Sequence, residues 1–485
     1  QTGWGEECAD GNTVSGDGCS DTCQDETCGD GVVQSGLGEE CDDGANGDPC
    51  DGCLDNCTAH TNICGDGYIC SNEECDNTNL DGKTCEALGY AGGTLTCDSN
   101  CQFDETDCSN CGNNQCDPGE GETVENCPQD CAWSMISAGN MFTCAVKVDG
   151  SAWCWGDNAN GMLGDGTFTN SMVPVPVYNL SDVIDISAAS RHACAVDSSG
   201  AAWCWGGGSF GRLGNGDTET SNVPVAVDDT SFSTTIDKIS AGDCHTCAVD
   251  TNGVGWCWGY NNYGQLGQGS TTPYQEPSPV QVPNINYLSG ISAGLYYTCA
   301  SNVDSSAWCW GSNGNGQLGD NTIDSKYSPV ALNGAGEVSA ISAGGGHTCA
   351  IDVTNQEVWC WGKNDSGQLG INSRTEKHSP QPTNFAGAVA ISTGENHTCI
   401  IDETNYEVSC WGENGNGQIG NNQTDDALLP ITLSVSNTST ISAGYTHTCA
   451  VDTNGTAWCW GDNAHGELGD GTTDERHTPV EVQDP

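Results

Sequence analysis

One sequence unit of about fifty residues occurs seven times and constrains the fold of this chain more than any other feature. Its consensus is I-S-A-G-x-x-H-T-C-A-V-D-x-x-G-x-x-W-C-W-G-x-N-x-x-G-Q-L-G, and the clearest copy runs from Ile441 to Gly469. Copies start at Ile136, Ile186, Ile239, Ile291, Ile341, Ile391 and Ile441, so successive starts are 50, 53, 52, 50, 50 and 50 residues apart. Such a period indicates a supersecondary unit that buries its apolar side only by stacking on its neighbours.

Each copy contains two short β-prone runs around a polar turn, as in His447–Val451 and Thr456–Trp460, and this pattern predicts a hairpin. Cys449 and Cys459 lie at equal distances from the turn. They should therefore face each other where the Cα atoms of a cross-strand pair are about 4.5 Å apart. We predict seven disulfides rather than seven pairs of free thiols. The predicted pairs are Cys144–Cys154, Cys194–Cys204, Cys247–Cys257, Cys299–Cys309, Cys349–Cys360, Cys399–Cys410 and Cys449–Cys459.

The motif G-x-N-x-x-G-Q-L-G, followed by P-V-x-V and the next I-S-A-G-x-x-H, resembles the regulator of chromosome condensation repeat. The resemblance covers residues 133–485 and implies an all-β, seven-bladed β-propeller with four-stranded blades around a central channel. The nuclear roles of the family's founder, nucleotide exchange on a small GTPase and chromatin binding, are not expected to transfer. Paired cysteines and strong negative charge suit neither a reducing nucleus nor DNA. Secreted bacterial members, which use the propeller as a rigid protein-binding disk, are the closer precedent.

Charge and cysteine content indicate an extracellular protein. The 485 residues include 67 acidic and 10 basic side chains and 34 cysteines, for a formal net charge of −57. Charge of one sign on this scale repels nucleic acid and anionic membranes, and cysteine at this density is typical of an oxidising compartment. No apolar run approaches the roughly 20 residues of a membrane span. Because the chain starts at Gln1 without an apolar leader, we expect that a signal peptide has been removed.

Residues 1–131 hold 19 cysteines and few apolar side chains, which predicts a disulfide-rich, loop-dominated arm before the propeller. We divide the chain into a truncated cysteine-rich repeat (1–27), a four-cysteine-type repeat (28–63), a longer cysteine-rich repeat (64–110), a short four-cysteine acidic cap (111–131) and the propeller (132–485). The motifs Cys28-Gly-Asp-Gly, Glu40-Cys41-Asp-Asp-Gly and Cys64-Gly-Asp-Gly resemble repeats of secreted bacterial and ciliate surface proteins.

Acidic, glycine-rich loops in the arm predict bound Ca²⁺, which takes closely spaced carboxylate and amide oxygens on a turning backbone. Solvated acidic loops are the alternative, and zinc at a Cys-x-x-Cys pair is a further one. The candidate ligands are Asp10, Asn12, Asp17, Asp42, Asp43, Asn46, Asp48, Asp51, Asp117, Glu120 and Asp130.

Catalysis has little support in the sequence, and we predict a protein that is not an enzyme. The histidine of the repeat is replaced by Phe142 and Tyr297 in two copies, a change that a packing or hydrogen-bonding role tolerates and a catalytic role does not. Paired tryptophans such as Trp458 and Trp460 are predicted to pack between blades, with sugar stacking as the alternative.

We expect an extracellular structural or adhesive protein that self-assembles into a surface layer or filament or binds another surface protein or glycan. A soluble protein- or glycan-binding propeller is the alternative, and neither nucleic acid nor membrane insertion is expected. Cys244 lies outside the seven predicted pairs. An odd cysteine count in the arm predicts a bond from Cys244 to the arm, with a lone thiol as the alternative. We also predict that the strand at Val480–Val482 closes the ring by joining the strands of Ile136–Trp155.

Overall fold

The computed structural model describes residues 131–484 except 229, 231, 233, 335 and 384, and it also describes residues 69, 74–75, 80–88, 92–105 and 108–109. The chain divides into two compact units, residues 1–113 and 114–485. All eleven predicted Ca²⁺ ligands lie outside the described residues, so Ca²⁺ binding stays a prediction.

The described part of the first unit contains one short helix and four two-residue strands. They are α1 (Cys85–Leu88), β1 (Gly92–Gly93), β2 (Thr96–Cys97), β3 (Phe103–Asp104) and β4 (Cys108–Ser109). Strand β1 pairs with β4, and β2 pairs with β3. A disulfide joins Cys75 to Cys97, with the Cα atoms 5.8 Å apart.

The second unit confirms the predicted all-β fold, because it forms seven four-stranded antiparallel sheets. The blades are I, β5–β8 (Trp133–Ala138, Phe142–Lys147, Ala152–Gly156, Ser171–Pro176); II, β9–β12 (Val183–Ala188, His192–Asp197, Ala202–Gly206, Ser221–Ala226); III, β13–β16 (Ile236–Ala241, His245–Asp250, Gly255–Tyr260, Gln275–Gln281); IV, β17–β20 (Leu288–Ala293, Tyr297–Asn302, Ala307–Gly311, Lys326–Ala331); V, β21–β24 (Val338–Ala343, His347–Asp352, Val358–Gly362, Lys377–Pro382); VI, β25–β28 (Ala388–Thr393, His397–Asp402, Val408–Gly412, Ala427–Thr432); and VII, β29–β32 (Thr438–Ala443, His447–Asp452, Ala457–Gly461, Arg476–Glu481).

Each blade carries one of the predicted disulfides between its second and third strands. In blade VII, Cys449 and Cys459 are direct cross-strand partners, and the Cα atoms of all seven pairs are 4.1 Å apart. Every one of these cysteines is fully buried. The disulfides therefore fix the hairpin inside a blade, and the junctions between blades depend on other contacts.

Ring closure differs from the prediction. The C-terminal strand β32 pairs with β31 of its own blade, through Cys459 opposite Val480, and the N-terminal strands β5–β8 form a separate blade. The reason lies in the loop before β32, where the buried Asn463 donates to Asp470 Oδ1 and to the carbonyls of Thr472 and Asp474. These bonds return the chain to the hairpin that it has just left, so the ring closes by packing blade VII against blade I.

A belt of serines from the I-S-A-G motif joins neighbouring blades around the central channel. In blade VII the side-chain oxygen of Ser442 accepts the backbone N–H of Ala138 in blade I, at 2.9 Å. The same bond recurs at every other junction at 2.9–3.0 Å, with the acceptors Ser137, Ser187, Ser240, Ser292, Ser342 and Ser392. The motif serine is thus an inter-blade hydrogen-bond acceptor, which explains its presence in all seven copies.

The glycine of the same motif permits the close approach of the next blade. A Cβ atom on Gly394 would lie 2.2 Å from the carbonyl oxygen of Gly444 and 2.6 Å from the His397 ring. Blade II has Ala189 at this position. Among the described residues at the junction of blades II and III, the N–H of Ser190 makes no bond to the carbonyl of Gly242, whereas the equivalent N–H of Glu395 in blade VI donates to the carbonyl of Gly444 in blade VII. Glycine at this position thus accompanies the additional inter-blade bond.

We expect Gly394→Ala to lower the free energy of unfolding by about 1–3 kcal/mol, because the added methyl group overpacks the junction between blades VI and VII. Guanidinium unfolding with intact disulfides measures the change. The control is Gly415→Ala, at a site where a Cβ would meet no atom within 4 Å. An equal loss of stability in both variants would contradict this explanation of the motif.

The outer edge of every blade is its fourth strand, and each of these strands contains proline. The prolines are Pro174, Pro224, Pro279, Pro329, Pro380, Pro430 and Pro479. Proline is tolerated on edge strands and blocks the addition of a further strand. The rim is therefore poorly suited to joining chains edge to edge, and the two faces are the surfaces left for contacts.

Candidate functional site

The repeat histidines are structural links between blades. The Nε2 atoms of His192, His245, His347, His397 and His447 lie 2.8–2.9 Å from a threonine hydroxyl of the following blade. Each threonine donates its own proton to a backbone carbonyl, as Thr398 does to Gln368, so the imidazole must donate from Nε2. All five rings are fully buried, and their Nδ1 atoms have no hydrogen-bond partner. This arrangement leaves no ring available for catalysis.

Burial lowers the pKa of these histidines, because the charged imidazolium would be held without solvent. The pKa falls to about 4 for His245 and His447 and to about 3 for His347 and His397. All four rings are therefore neutral at physiological pH.

The two copies without histidine preserve the junction in other ways. Phe142 in blade I and Ala193 in blade II stand at the positions of the histidine and its threonine partner and lie in one apolar cluster, so both polar groups are replaced together. In blade IV the hydroxyl of Tyr297 donates to the carbonyl of His347 at 2.5 Å and lies 3.0 Å from the hydroxyl of Thr348. These exchanges agree with the prediction that the position serves packing and hydrogen bonding.

The tryptophan that directly follows the second cysteine of each blade is closed to ligands. The seven residues, at 155, 205, 258, 310, 361, 411 and 460, are fully buried. Each donates from Nε1 to a carbonyl of the preceding blade at 2.8–2.9 Å, as Trp411 does to Gln368. These rings form the inter-blade core and cannot stack on a sugar.

Two kinds of loop build one face of the propeller, which we call the loop face. They connect the first strand to the second and the third to the fourth in each blade, and antiparallel order places them at the same end of the sheets. The opposite surface, with the turns between second and third strands, is the turn face. In six blades a buried asparagine shapes the longer loop: in blade I, Asn158 accepts the N–H of Leu163 and donates to the carbonyls of Thr167 and Thr169.

At the centre of the loop face, the channel mouth forms a cavity of about 90 Å³ lined by Asp243, Glu395 and Tyr445. The hydroxyl of Tyr445 in blade VII lies 3.5 Å from Asp243 Oδ1 in blade III, so this side chain crosses the mouth. Burial, together with the nearby Glu413, raises the pKa of Glu395. Among the described residues, His, Cys, Asp and Glu side chains nowhere form a group of three that could hold a metal ion.

An aromatic cluster occupies one sector of the loop face, and the sequence analysis did not identify it. We call it the aromatic sector and define it by Phe210 of blade II, Tyr260 and Tyr263 of blade III, and Tyr296 of blade IV. Ring centroids are 4.7 Å apart for Phe210 and Tyr260, 6.2 Å for Tyr260 and Tyr296, and 5.3 Å for Tyr263 and Tyr296. The sequence does contain a signal for this cluster: aromatic residues occur at loop positions where most of the other copies carry polar residues.

Two arginines flank the aromatic sector. The guanidinium of Arg212 lies 5.8 Å from the centre of the Phe210 ring and donates to the carbonyls of Ser209 and Asp243. Arg212 itself is 4% exposed, whereas Arg191, the residue before His192, is exposed. Because the chain has only 10 Lys and Arg residues, this pairing of aromatic rings with two arginines is distinctive.

Cys244 lies at the edge of the aromatic sector as a half-buried free thiol, so the predicted bond to the arm is not formed in this structure. Its Sγ donates to Asp243 Oδ2 at 3.1 Å. Burial and this carboxylate raise the pKa of Cys244 to about 12, against the opposing effect of Arg212 and Arg191. The thiol therefore stays protonated at neutral pH and is a weak nucleophile.

Blade I contains a buried cation that the repeat pattern does not predict. Lys147 replaces the aspartate or asparagine of the other six copies and is 2% exposed. Its Nζ lies 5.1 and 5.2 Å from the ring centroids of Trp133 and Trp153. The turn is capped by Asp149 instead, which accepts the N–H of Ser151. Lys147 is thus part of the blade I core and does not form a surface site.

In the part of the chain that the structure describes, we find no helix with the length and apolar character needed to cross a membrane.

Comparison with known proteins agrees with this architecture. The RCC1-like domain family matches residues 98–437, and regulator of chromosome condensation (RCC1) repeats match residues 439–467 and 454–485. The ultraviolet-B receptor UVR8 of Arabidopsis thaliana is 28% identical over 51% of this chain and 56% of its own length. The human probable E3 ubiquitin-protein ligase HERC6 is 33% identical over 51% of this chain and 20% of its own. The chain thus spans about half the length of UVR8 and a fifth of the length of HERC6.

Solved structures share the fold at low identity. Human WBSCR16 is 18% identical, with a TM-score of 0.64 over 69% of this chain and 94% of that one. Yeast RCC1 (Prp20), solved in complex with Kap60, is 21% identical, with a TM-score of 0.62 over 75% of this chain and 87% of that one. Since the RCC1-like match alone spans well over half of the sequence, the chain belongs to the RCC1-like domain family.

Proposed function

We propose that this protein is an extracellular, non-enzymatic adhesive protein whose propeller is a rigid disk that binds another surface component through its loop face. The observation that carries the proposal is the oxidised state of the blades. Fourteen propeller cysteines form seven fully buried disulfides, one in each blade. Such bonds persist outside the cell and are reduced in the cytosol and nucleus.

The choice of the loop face rests on two features. The rim is blocked by a proline in every outer strand, as in Pro279 and Pro329. The loop face also carries tyrosine and arginine side chains together, and these residues are enriched at binding hot spots. Relatives with this fold include a protein named as a receptor, which supports a binding role for the propeller.

Cell fractionation with thiol mapping tests the proposal. Native protein is alkylated before lysis, and its cysteines are mapped by peptide mass spectrometry. We expect recovery from the cell surface or medium with all fourteen paired propeller cysteines protected, while Cys244 reacts slowly at pH 8 and fully after unfolding. Recovery from inside the cell with alkylated blade cysteines would refute the proposal.

Self-assembly into a layer or filament is a second form of the same proposal. Because the rim is blocked, assembly would proceed from face to face. Sedimentation of the purified full chain over a hundredfold range of concentration tests it: growth beyond the monomer is the expected result, and a monomer at every concentration refutes assembly by this chain alone.

A further inference from the structure

The seven blades serve as controls for one another, and they show that the fold does not require the aromatic sector. At the loop position of Tyr263, three other blades carry Asn160, Asn315 and Asn416. At the position of Tyr296, blades V and VI carry Gly346 and Asn396. Blades I, V, VI and VII have no Phe, Tyr or Trp at the positions of Tyr260, Tyr263 and Tyr296, and their sheets form equally well.

The backbone of blade II is strained where it contributes to the sector. Phe210 has φ of 67°, a left-handed conformation that costs a bulky side chain on the order of 1–2 kcal/mol. Its loop lacks the organising asparagine, since Gly208 stands in that position. Tyr287 on the turn face has a similar φ of 59°, so this strain accompanies the sector and does not by itself identify a ligand site.

The rings offer a platform with polar edges. Tyr263 is 41% exposed, while Tyr260 and Tyr296 are half-buried. The amide of Asn262 donates to the hydroxyl of Tyr260 at 2.7 Å and fixes its orientation. Aromatic faces bordered by amide, guanidinium and hydroxyl groups suit a ligand that has both flat CH surfaces and many hydroxyl groups.

The charge of the protein distinguishes among anionic, cationic and neutral ligands. The net charge of −57 repels an anionic partner at long range. Near the rings the charges are mixed: Arg212 is 4% exposed and lies beside the Asp243 carboxylate, which also accepts from the Cys244 thiol, while Arg191 is exposed. This balance provides no excess of either charge for an ionic ligand, so a neutral ligand suits the sector best. The sugar rings of an uncharged polysaccharide present CH faces for stacking and hydroxyls for the arginine and asparagine side chains.

We infer that the aromatic sector is a carbohydrate site that binds a neutral oligosaccharide, with Tyr263 and Tyr296 as the stacking residues. This inference rests on the proposed adhesive function and deepens it by naming the class of ligand. The opposite half of the loop face is different in character. In blades V and VI, Lys363 and Glu413 at the position of Tyr260 and Asn396 at the position of Tyr296 form a polar network with bonds of 2.9 and 3.0 Å.

Isothermal titration of the full chain with neutral hexasaccharides tests the inference. The neutral probes are cellohexaose, chitohexaose, mannohexaose and maltohexaose, and hexagalacturonate is the anionic comparison. We expect micromolar to millimolar binding of at least one neutral hexamer, little change between 50 and 500 mM salt, and weaker binding of the anionic probe. Failure to bind all four neutral hexamers, or tighter binding of hexagalacturonate, overturns the inference.

Variants taken from other blades locate the site. Tyr263→Asn and Tyr296→Asn introduce residues that blades I and VI already carry, so folding should be retained, and each should weaken binding by about 10-fold or more. The control is Tyr287→Asn, a change on the turn face where the tyrosine is 68% exposed and has φ of 59°. Unchanged affinity in both sector variants, or an equal loss in the control, overturns the site. A chain that is recovered at the cell surface but binds no hexamer would refute this inference and leave the proposed function standing.

Discussion

Acidification from pH 7.5 to pH 5 should destabilise the propeller by about 2 kcal/mol for each of four buried histidines. The pKa values of His245, His347, His397 and His447 are lowered to between about 3 and about 4. In the unfolded chain, an imidazole titrates near 6.5. The unfolded state therefore binds protons first as the pH falls, so stability that is present above pH 6.5 is lost towards pH 4.

A double variant isolates this effect from the many carboxylates. His397→Phe with Thr448→Ala reproduces the natural pair of Phe142 and Ala193, so the junction between blades VI and VII should pack while losing its titrating group. Guanidinium unfolding at pH 7.5 and pH 5 should show a pH-dependent loss that is smaller by about 2 kcal/mol in the double variant than in the wild type. The control His378→Gln removes a surface imidazole whose side chain is 37% exposed, and it tests whether the loss of any histidine gives the same result. Identical pH dependence in the double variant and the wild type would contradict the prediction.

Glu467→Gln should stabilise the protein at pH 8 by about 3 kcal/mol. Burial raises the pKa of Glu467 to about 7, and its side chain is fully buried with no hydrogen-bond partner for Oε1. Four other blades carry glutamine at this position: Gln265, Gln317, Gln368 and Gln418. A neutral glutamine can keep the bond that Glu467 accepts from the N–H of His465, and the cost of a buried charge disappears.

The sign of the effect with pH distinguishes this explanation from a general gain in packing. In an unfolded chain the carboxyl group titrates near 4.5 and in the folded protein near 7, so stability is lost as the pH rises between these values. The advantage of the glutamine variant should therefore shrink to about 1 kcal/mol at pH 5.5. The control is Glu475→Gln, which changes a carboxylate that is 42% exposed. An equal gain at both pH values in Glu467→Gln would argue against titration of the buried group.

The structural elements that recur in every blade could be predicted from the sequence alone. The equal spacing of Cys449 and Cys459 about their turn specifies a hairpin register, and the structure places the two residues directly opposite each other. The replacement of histidine by Phe142 and Tyr297 pointed to an interior role, and both residues are fully buried. Periodicity is informative here because an internal repeat reveals which substitutions one position tolerates.

Periodicity did not predict strand pairing correctly where the pairing depends on hydrogen bonds in the connecting loop. The last strand of a copy lies close in sequence to the next copy, so spacing alone did not decide which hairpin it joins. The decision comes from Asn463 and its equivalents, which hold the preceding loop. The inter-blade roles of Ser442 and Gly394 were also outside the reach of the pattern, because their partners lie in a neighbouring blade.

The agreement between repeat and blade has a consequence for how such a protein can change in length. Strand order follows chain order in every sheet, and no blade borrows a strand from another copy. An in-frame duplication or loss of about fifty codons therefore adds or removes a complete sheet with its own disulfide, its own serine acceptor and its own histidine or aromatic link. Genetic exchange between copies can thus shuffle loop-face residues from one blade to another, and a binding sector can arise in one part of the ring while the remaining blades keep their polar loops.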